Sequence, residues 1–340
     1  MTRLLSRHLR GMNTDFHLTV RVEEMSGAEA ERALEASAVW LGEVERACSR
    51  FLPKSELCAL NASAGSPFTA SADLYAVVAL AIAMAARTGG LFDPTILPAL
   101  LAAGYTRSFD EIGQREIGQR EIGVAMSVAT SWHSGRWREV ALDATTRTIT
   151  LPAGVALDLG GVAKGWAVDE VACRFLGAFP AYLIDLGGDL RAHGEPEPGK
   201  GWIIGVEDPS AAPGPGAPDR SEKPRYLAGV ELRDSGVATS GSARRWWLRA
   251  GRRMSHLIDP RSGQPVERPV GERALLSCTA LAPTAMEADI YAKVAFLRGY
   301  PAGLATLPAG IAGLCVFADG TLATSPGLET YLRTQRQAHD

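Results

Sequence analysis

The sequence predicts a mixed fold of strands and helices in a globular chain, and three observations predict it. Short runs with period-two alternation, such as His17 to Val22 and Ala181 to Leu186, read as strands. Residues 28–47 carry apolar Leu34, Ala38, Leu41 and Val44 at helical spacing, and residues 72–87 read as a strongly apolar helix. With 46% hydrophobic residues in 340 and a net charge of −3, the chain can bury a large core as one big domain or two lobes. No basic excess points to nucleic acid, and no apolar run is long enough to span a membrane.

After an arginine-containing start (Arg3, Arg7, Arg10) without an apolar signal region comes Met12-Asn13-Thr14, then the first strand. The helix over 28–47 ends in Cys48-Ser49-Arg50-Phe51-Leu52-Pro53, where proline stops regular structure. Ser55 to Asn61 reads as a short polar connector. The helix over 72–87 closes on Thr88-Gly89-Gly90. Asp93, just before Pro94, is either the cap of the next helix or an acceptor for a ligand. Phe51 is either a core side chain or a stacking platform.

The chain is organised around Leu157-Asp158-Leu159-Gly160-Gly161-Val162-Ala163-Lys164-Gly165. β-Branched residues before it (Thr148 to Leu151, Val155 to Leu157) read as paired strands, so Asp158 leaves a strand end. Apolar Val162, Trp166, Val168 and Val171 start a helix near Gly161. Free N–H groups at a helix start, two glycines and Lys164 suit an anionic ligand such as a phosphate. The same pattern also describes a plain strand-to-helix turn with a surface lysine.

Beyond this turn, Val237 to Gly241 reads as a small-residue turn, Leu275 to Leu281 as a strand and Thr284 to Leu297 as a helix. Asp289 and Lys293 share one face of that helix and read, in the plainest terms, as a solvated i,i+4 ion pair. His256 lies between a cationic stretch and the Asp259-Pro260 turn. The repeated pentad over 111–123 and the proline-rich residues 208–224 read as surface loops. Five cysteines (Cys48, Cys58, Cys173, Cys278, Cys315) form no C-x-x-C pair, which argues against zinc and favours reduced thiols in a cytoplasm.

Together these segments resemble the ApbE-type FAD:protein FMN transferases. The resemblance rests on Met12-Asn13-Thr14, on Ser49-Arg50-Phe51 with Ser55-Glu56 and Asn61, and on Gly90-Leu91-Phe92-Asp93-Pro94-Thr95. It continues through the Asp158 to Lys164 turn, Ile184-Asp185-Leu186-Gly187-Gly188-Asp189, Ala238-Thr239-Ser240-Gly241, Ser255-His256-Leu257-Ile258-Asp259-Pro260 and Ala288-Asp289. It implies an α+β, T-fold-like architecture of mixed sheets with packed helices and a central cleft. It places a single domain over 12–330, with an extension before it, a tail after it, and insertions near 108–124 and 208–224.

The implied chemistry is cleavage of the FAD pyrophosphate, attachment of FMN to a Ser or Thr of an acceptor protein, and release of AMP. By position, Met12, Phe51, Leu91, Phe92, Asp93, Asp158, Lys164 and Leu257 would bind the cofactor. His256 would be an acid–base group. The Gly161 carbonyl and Asp289 would hold Mg²⁺. One departure stands out: the family has a hydroxyl residue four positions after the aspartate, and here it is Lys293, which cannot ligate a cation. An FAD-binding protein with weak or lost transfer, or an FAD pyrophosphatase, therefore stands beside the transferase as an alternative.

Overall fold

The structure, a computed structural model, describes residues 3–23, 27–108, 111, 132–211, 225–243, 246–249, 252–267, 271 and 273–333. The chain forms two compact units. One comprises residues 1–39, 164–244 and 269–340; the other comprises 40–163 and 245–268. The repeated pentad and most of the proline-rich stretch lie outside the described residues.

An eight-stranded sheet is the frame of the first unit. Its strands are Arg3–Gly11, Thr14–Val22, Ala181–Leu186, Leu190–Gly194, Asp234–Gly241, Leu275–Ala282, Ala312–Phe317 and Leu322–Thr324, neighbours in that order. The pairings of consecutive strands are antiparallel. The period-two pattern that marks a half-buried strand is visible in Thr14–Val22, where Phe16, Leu18, Val20 and Val22 are buried and His17 is exposed. A three-stranded sheet (Trp202–Glu207, Tyr226–Leu232, Leu332–Arg333) contributes Trp202, Val206, Val230 and Leu232 to a core shared with Val237, Leu281, Leu314 and Val316.

Helix Ala285–Arg298 is buried on most of its faces. Its first turn lies against two glycines: an added Cβ at Gly236 would collide with the Thr284 carbonyl carbon, and one at Gly165 would meet Met286 Cα at 2.7 Å. Neither site has room for a side chain because the obstacle is backbone. Gly165→Ala is therefore expected to lower stability by about 2 kcal/mol, as overpacking does where the neighbour cannot yield. Urea unfolding measures this, and an unchanged midpoint would show that the helix start moves aside freely.

In the second unit a three-stranded sheet (Pro67–Thr69, Thr148–Thr150, Ala141–Asp143) stands with helices Glu56–Ala62, Ala72–Arg87 and Leu97–Ala102. Trp247, fully buried in the hairpin of Trp246–Arg249 and Arg252–Ser255, packs with Ala99, Leu100, Ala103 and Ile258. Helix Gly27–Cys48 contributes residues to both units.

Several local expectations are corrected. Ser55 to Asn61 is not a connector: Ser55 accepts from the Cys58 N–H and caps a helix over Glu56–Ala62. Val237 to Gly241 is not a turn but part of the interior strand Asp234–Gly241, in which Gly236 admits the start of the Ala285 helix. Asp158 does not leave a strand. Leu157 is held as a strand would hold it, but by the Asn61 side-chain amide, which donates to Leu157 O at 3.0 Å and accepts from Leu157 N at 2.7 Å. The Asp158 N–H donates to Pro94 O. Residues 3–11, read as an extension, form the edge strand of the large sheet, because Arg3 to Gly11 pairs in full register with Thr14 to Val22.

Candidate active site

The first unit assembles a buried charged cluster. Helix Ala163–Val171 starts two residues after Gly161 and presents Lys164 and Asp169, which have separate tasks. Lys164 forms an ion pair with Asp189, both largely buried. Asp189 is placed by the Gly187-Gly188 loop, whose φ angles of 70° and 95° only glycine adopts without strain. Asp185 fastens that loop by accepting from the Gly188 N–H at 2.7 Å. Met12 and Asn13, with φ of 45° and 60°, form the hairpin turn ahead of strand Thr14–Val22.

Asp169 takes the N–H groups of Ala285 and Met286 at 3.0 and 2.9 Å and the Arg191 guanidinium at 2.6 Å. It thereby fixes the helix that carries Asp289 and Lys293. Lys293 Nζ is bonded to Asp289 Oδ1 and donates to the Asp289 carbonyl at 3.3 Å. The Asp289 side chain is 5% exposed and that of Lys293 is 17%, so the reading of a solvated surface pair is corrected. The reason is that the helix packs on several sides at once, which the i,i+4 spacing does not report. Burial pushes the Asp289 carboxyl above the usual range and the Asp189 charge adds to this, while Lys293 and Lys164 oppose it. Asp289 Oδ2 is buried without a hydrogen-bond partner.

A second group of side chains forms within the other unit. Arg50 donates to Asp158 Oδ2 at 2.6 Å and to Tyr105 O at 2.9 Å. Its guanidinium lies 4.1 Å from the Phe51 ring centre and 4.5 Å from that of Tyr105. Tyr105 stacks on Trp247 at 5.2 Å. Arg50 is 6% exposed, and its Nη2 is buried without a partner. The other oxygen of Asp158 accepts from the Gly160 N–H.

Asp93 resolves to the capping alternative: Oδ1 accepts from the Thr95 N–H and hydroxyl, and Oδ2 from the Gly135 N–H. Leu91 and Phe92 are buried beside it. Leu257 is buried and partly exposed His256 precedes it, between strands Arg252–Ser255 and Ile258–Asp259.

The structure thus unites Lys164, Asp289 and Lys293 in one unit, and Phe51, Asp93, Asp158, Gly161, His256 and Leu257 belong to the other. Sequence reasoning gave no role to Arg50, Tyr105, Trp247, Asp169 or Asp189. Arg50 and Asp189 stood inside recognised segments, which was a usable signal. Tyr105 and Trp247 carried none, because their stacking joins residues far apart in the chain.

The magnesium implied by the resemblance does not fit these residues. Among the described residues no group of three or more His, Cys, Asp or Glu side chains is placed to hold a metal ion. Of the two Asp289 oxygens, Oδ1 is held by the Lys293 ammonium and Oδ2 is buried without a partner, so an ion bound at this carboxylate would sit beside a fixed positive charge. Charges of +1 and +2 held about 4 Å apart repel by roughly 8 kcal/mol at an effective dielectric of about 20.

Two interior carboxylate–lysine pairs on a mixed sheet-and-helix scaffold mark this chain. The chain belongs to the ApbE family, whose model matches residues 12–315. It is 31% identical over 318 residues to an FAD:protein FMN transferase of Treponema pallidum, covering 90% of this chain and 83% of that one. It is 29% identical to the protein of the same name from Haemophilus influenzae, over 88% and 82% of the two chains. The crystal structure of an ApbE protein from Thermotoga maritima superposes with a TM-score of 0.78 at 24% identity, covering 98% of this chain and all of that one. Among the described residues no helix is long and apolar enough to cross a membrane.

Proposed function

We propose that this chain is an FAD:protein FMN transferase that moves FMN from FAD to a Ser or Thr of an acceptor protein. The observation that carries the reading is the 31% identity to a transferase of that name across 90% of the chain. In the reaction the acceptor hydroxyl oxygen bonds to the FMN phosphorus, and the bond from that phosphorus to the bridging oxygen breaks. AMP leaves with the bridging oxygen and its electron pair. The hydroxyl proton passes to a base, for which His256 is the candidate.

Such a step depends on positioning and on offsetting phosphate charge rather than on covalent help from the protein. Lys164 and Lys293 supply positive charge. Phe51, backed by Arg50 and Tyr105, supplies a surface on which a flavin ring stacks. Met12, Leu91, Phe92, Asp158 and Leu257 shape the flavin site, with Asp158 acting through Arg50 and Asp93 through the cap it makes.

The purified protein, incubated with FAD and a co-expressed acceptor, is expected to yield covalently flavinylated acceptor and AMP. Lys164→Ala is expected to weaken FAD binding by roughly tenfold or more, since a charge-assisted contact contributes about 1.5–3 kcal/mol. AMP formation without a flavinylated acceptor would instead identify a pyrophosphatase. We place the reaction in the cytoplasm, which the cysteine usage favours; recovery of the native protein outside that compartment would contradict the placement.

A further inference from the structure

We propose that Lys293 is the resident counter-cation of this site: its ammonium takes the place of a divalent metal beside Asp289 and offsets the ligand's phosphate charge. The inference rests on the transferase reading and deepens it. Four observations carry it. Lys293 sits one helical turn from Asp289 on the same helix and holds both Oδ1 and the carbonyl of that residue. The Asp289 side chain is buried and that of Lys293 is mostly so, and salt therefore screens the pair less than it would a surface pair.

The second carboxylate of the cluster, Asp189, is likewise held by a lysine, Lys164, leaving each acid matched by one internal cation. Asp289 Oδ2, the one oxygen of that carboxylate without a partner, is buried, and a lone oxygen beside an ammonium is a poor substitute for an octahedral oxygen shell. A lysine ammonium is a compact point charge with three donors on a flexible stem. It can bond Asp289 and a phosphate oxygen together, where a metal ion would need its own set of ligands.

The test is FAD binding followed by flavin fluorescence, in millimolar Mg²⁺ and in EDTA, for the wild type and for Lys293→Thr. A parallel calorimetric titration uses Mg²⁺ alone. Wild-type affinity is expected to change by no more than roughly twofold between the two conditions, with no heat from Mg²⁺ alone. Lys293→Thr, which restores a hydroxyl, is expected to bind FAD at least roughly tenfold more weakly in EDTA and to recover in Mg²⁺.

A wild type that loses more than roughly tenfold affinity in EDTA overturns the inference whether or not the variant folds. If the wild type binds no FAD in either condition, the transferase reading fails. The Mg²⁺ titration then decides the metal question separately: binding heat refutes a resident lysine cation, and its absence supports one.

Discussion

Replacing Asp169 with alanine is expected to remove about 4 kcal/mol of stability. One carboxylate serves two backbone N–H groups of the Ala285 helix and the Arg191 guanidinium. Its removal leaves two donors at a buried helix start and a partly buried cation without their acceptor. Burial works against the ionised form of Asp169, and the N–H bonds and Arg191 work for it. Asparagine, with one acceptor oxygen and no charge, should fall between the two. Urea unfolding reads the loss, and faster hydrogen exchange at Ala285 and Met286 localises it. A loss for Asp169→Ala below about 1 kcal/mol would show that the Thr284 cap holds the helix start unaided.

Lys293→Met is expected to cost about 3–5 kcal/mol at about pH 8, because it strands the Asp289 carboxylate in the interior without its partner. The loss should depend on pH in a definite sense. Asp289 is raised above the ordinary carboxyl range in the folded protein. Its contribution is therefore complete below the unfolded value and is lost as pH rises through the folded one. Lys293 opposes the upward shift, so its removal moves the folded value higher and steepens the loss toward alkaline pH. The deficit of the variant relative to wild type should narrow as pH falls and Asp289 protonates. Urea unfolding of both proteins across that range measures it. A deficit independent of pH would show that the lysine acts by packing its stem and not by its charge.

The recognised segments span most of the chain, and on their own they are enough to fix the family and the mixed architecture. The helices over 72–87 and 285–298 and the strands over 181–186 and 275–282 were legible because each is an apolar run of the right length bounded by turn or capping residues. Lys293 was legible as a departure, since a donor-only group cannot replace an oxygen ligand.

Tertiary structure decided where those residues look. Spacing put Asp289 and Lys293 on one face but did not say that the face is buried, because burial depends on what packs from outside the helix. Asn61 imitating a strand partner for Leu157, and Tyr105 stacked on Trp247, join positions separated by long stretches of chain. The same holds for Cys278 and Cys315, scattered in sequence yet facing each other across adjacent strands. The sequence by itself determined the segments, their chemistry and the family. Only the fold decided which charges meet, because a side chain's partner is set by register and close approach, as at Gly165 and Gly236, rather than by its neighbours along the chain.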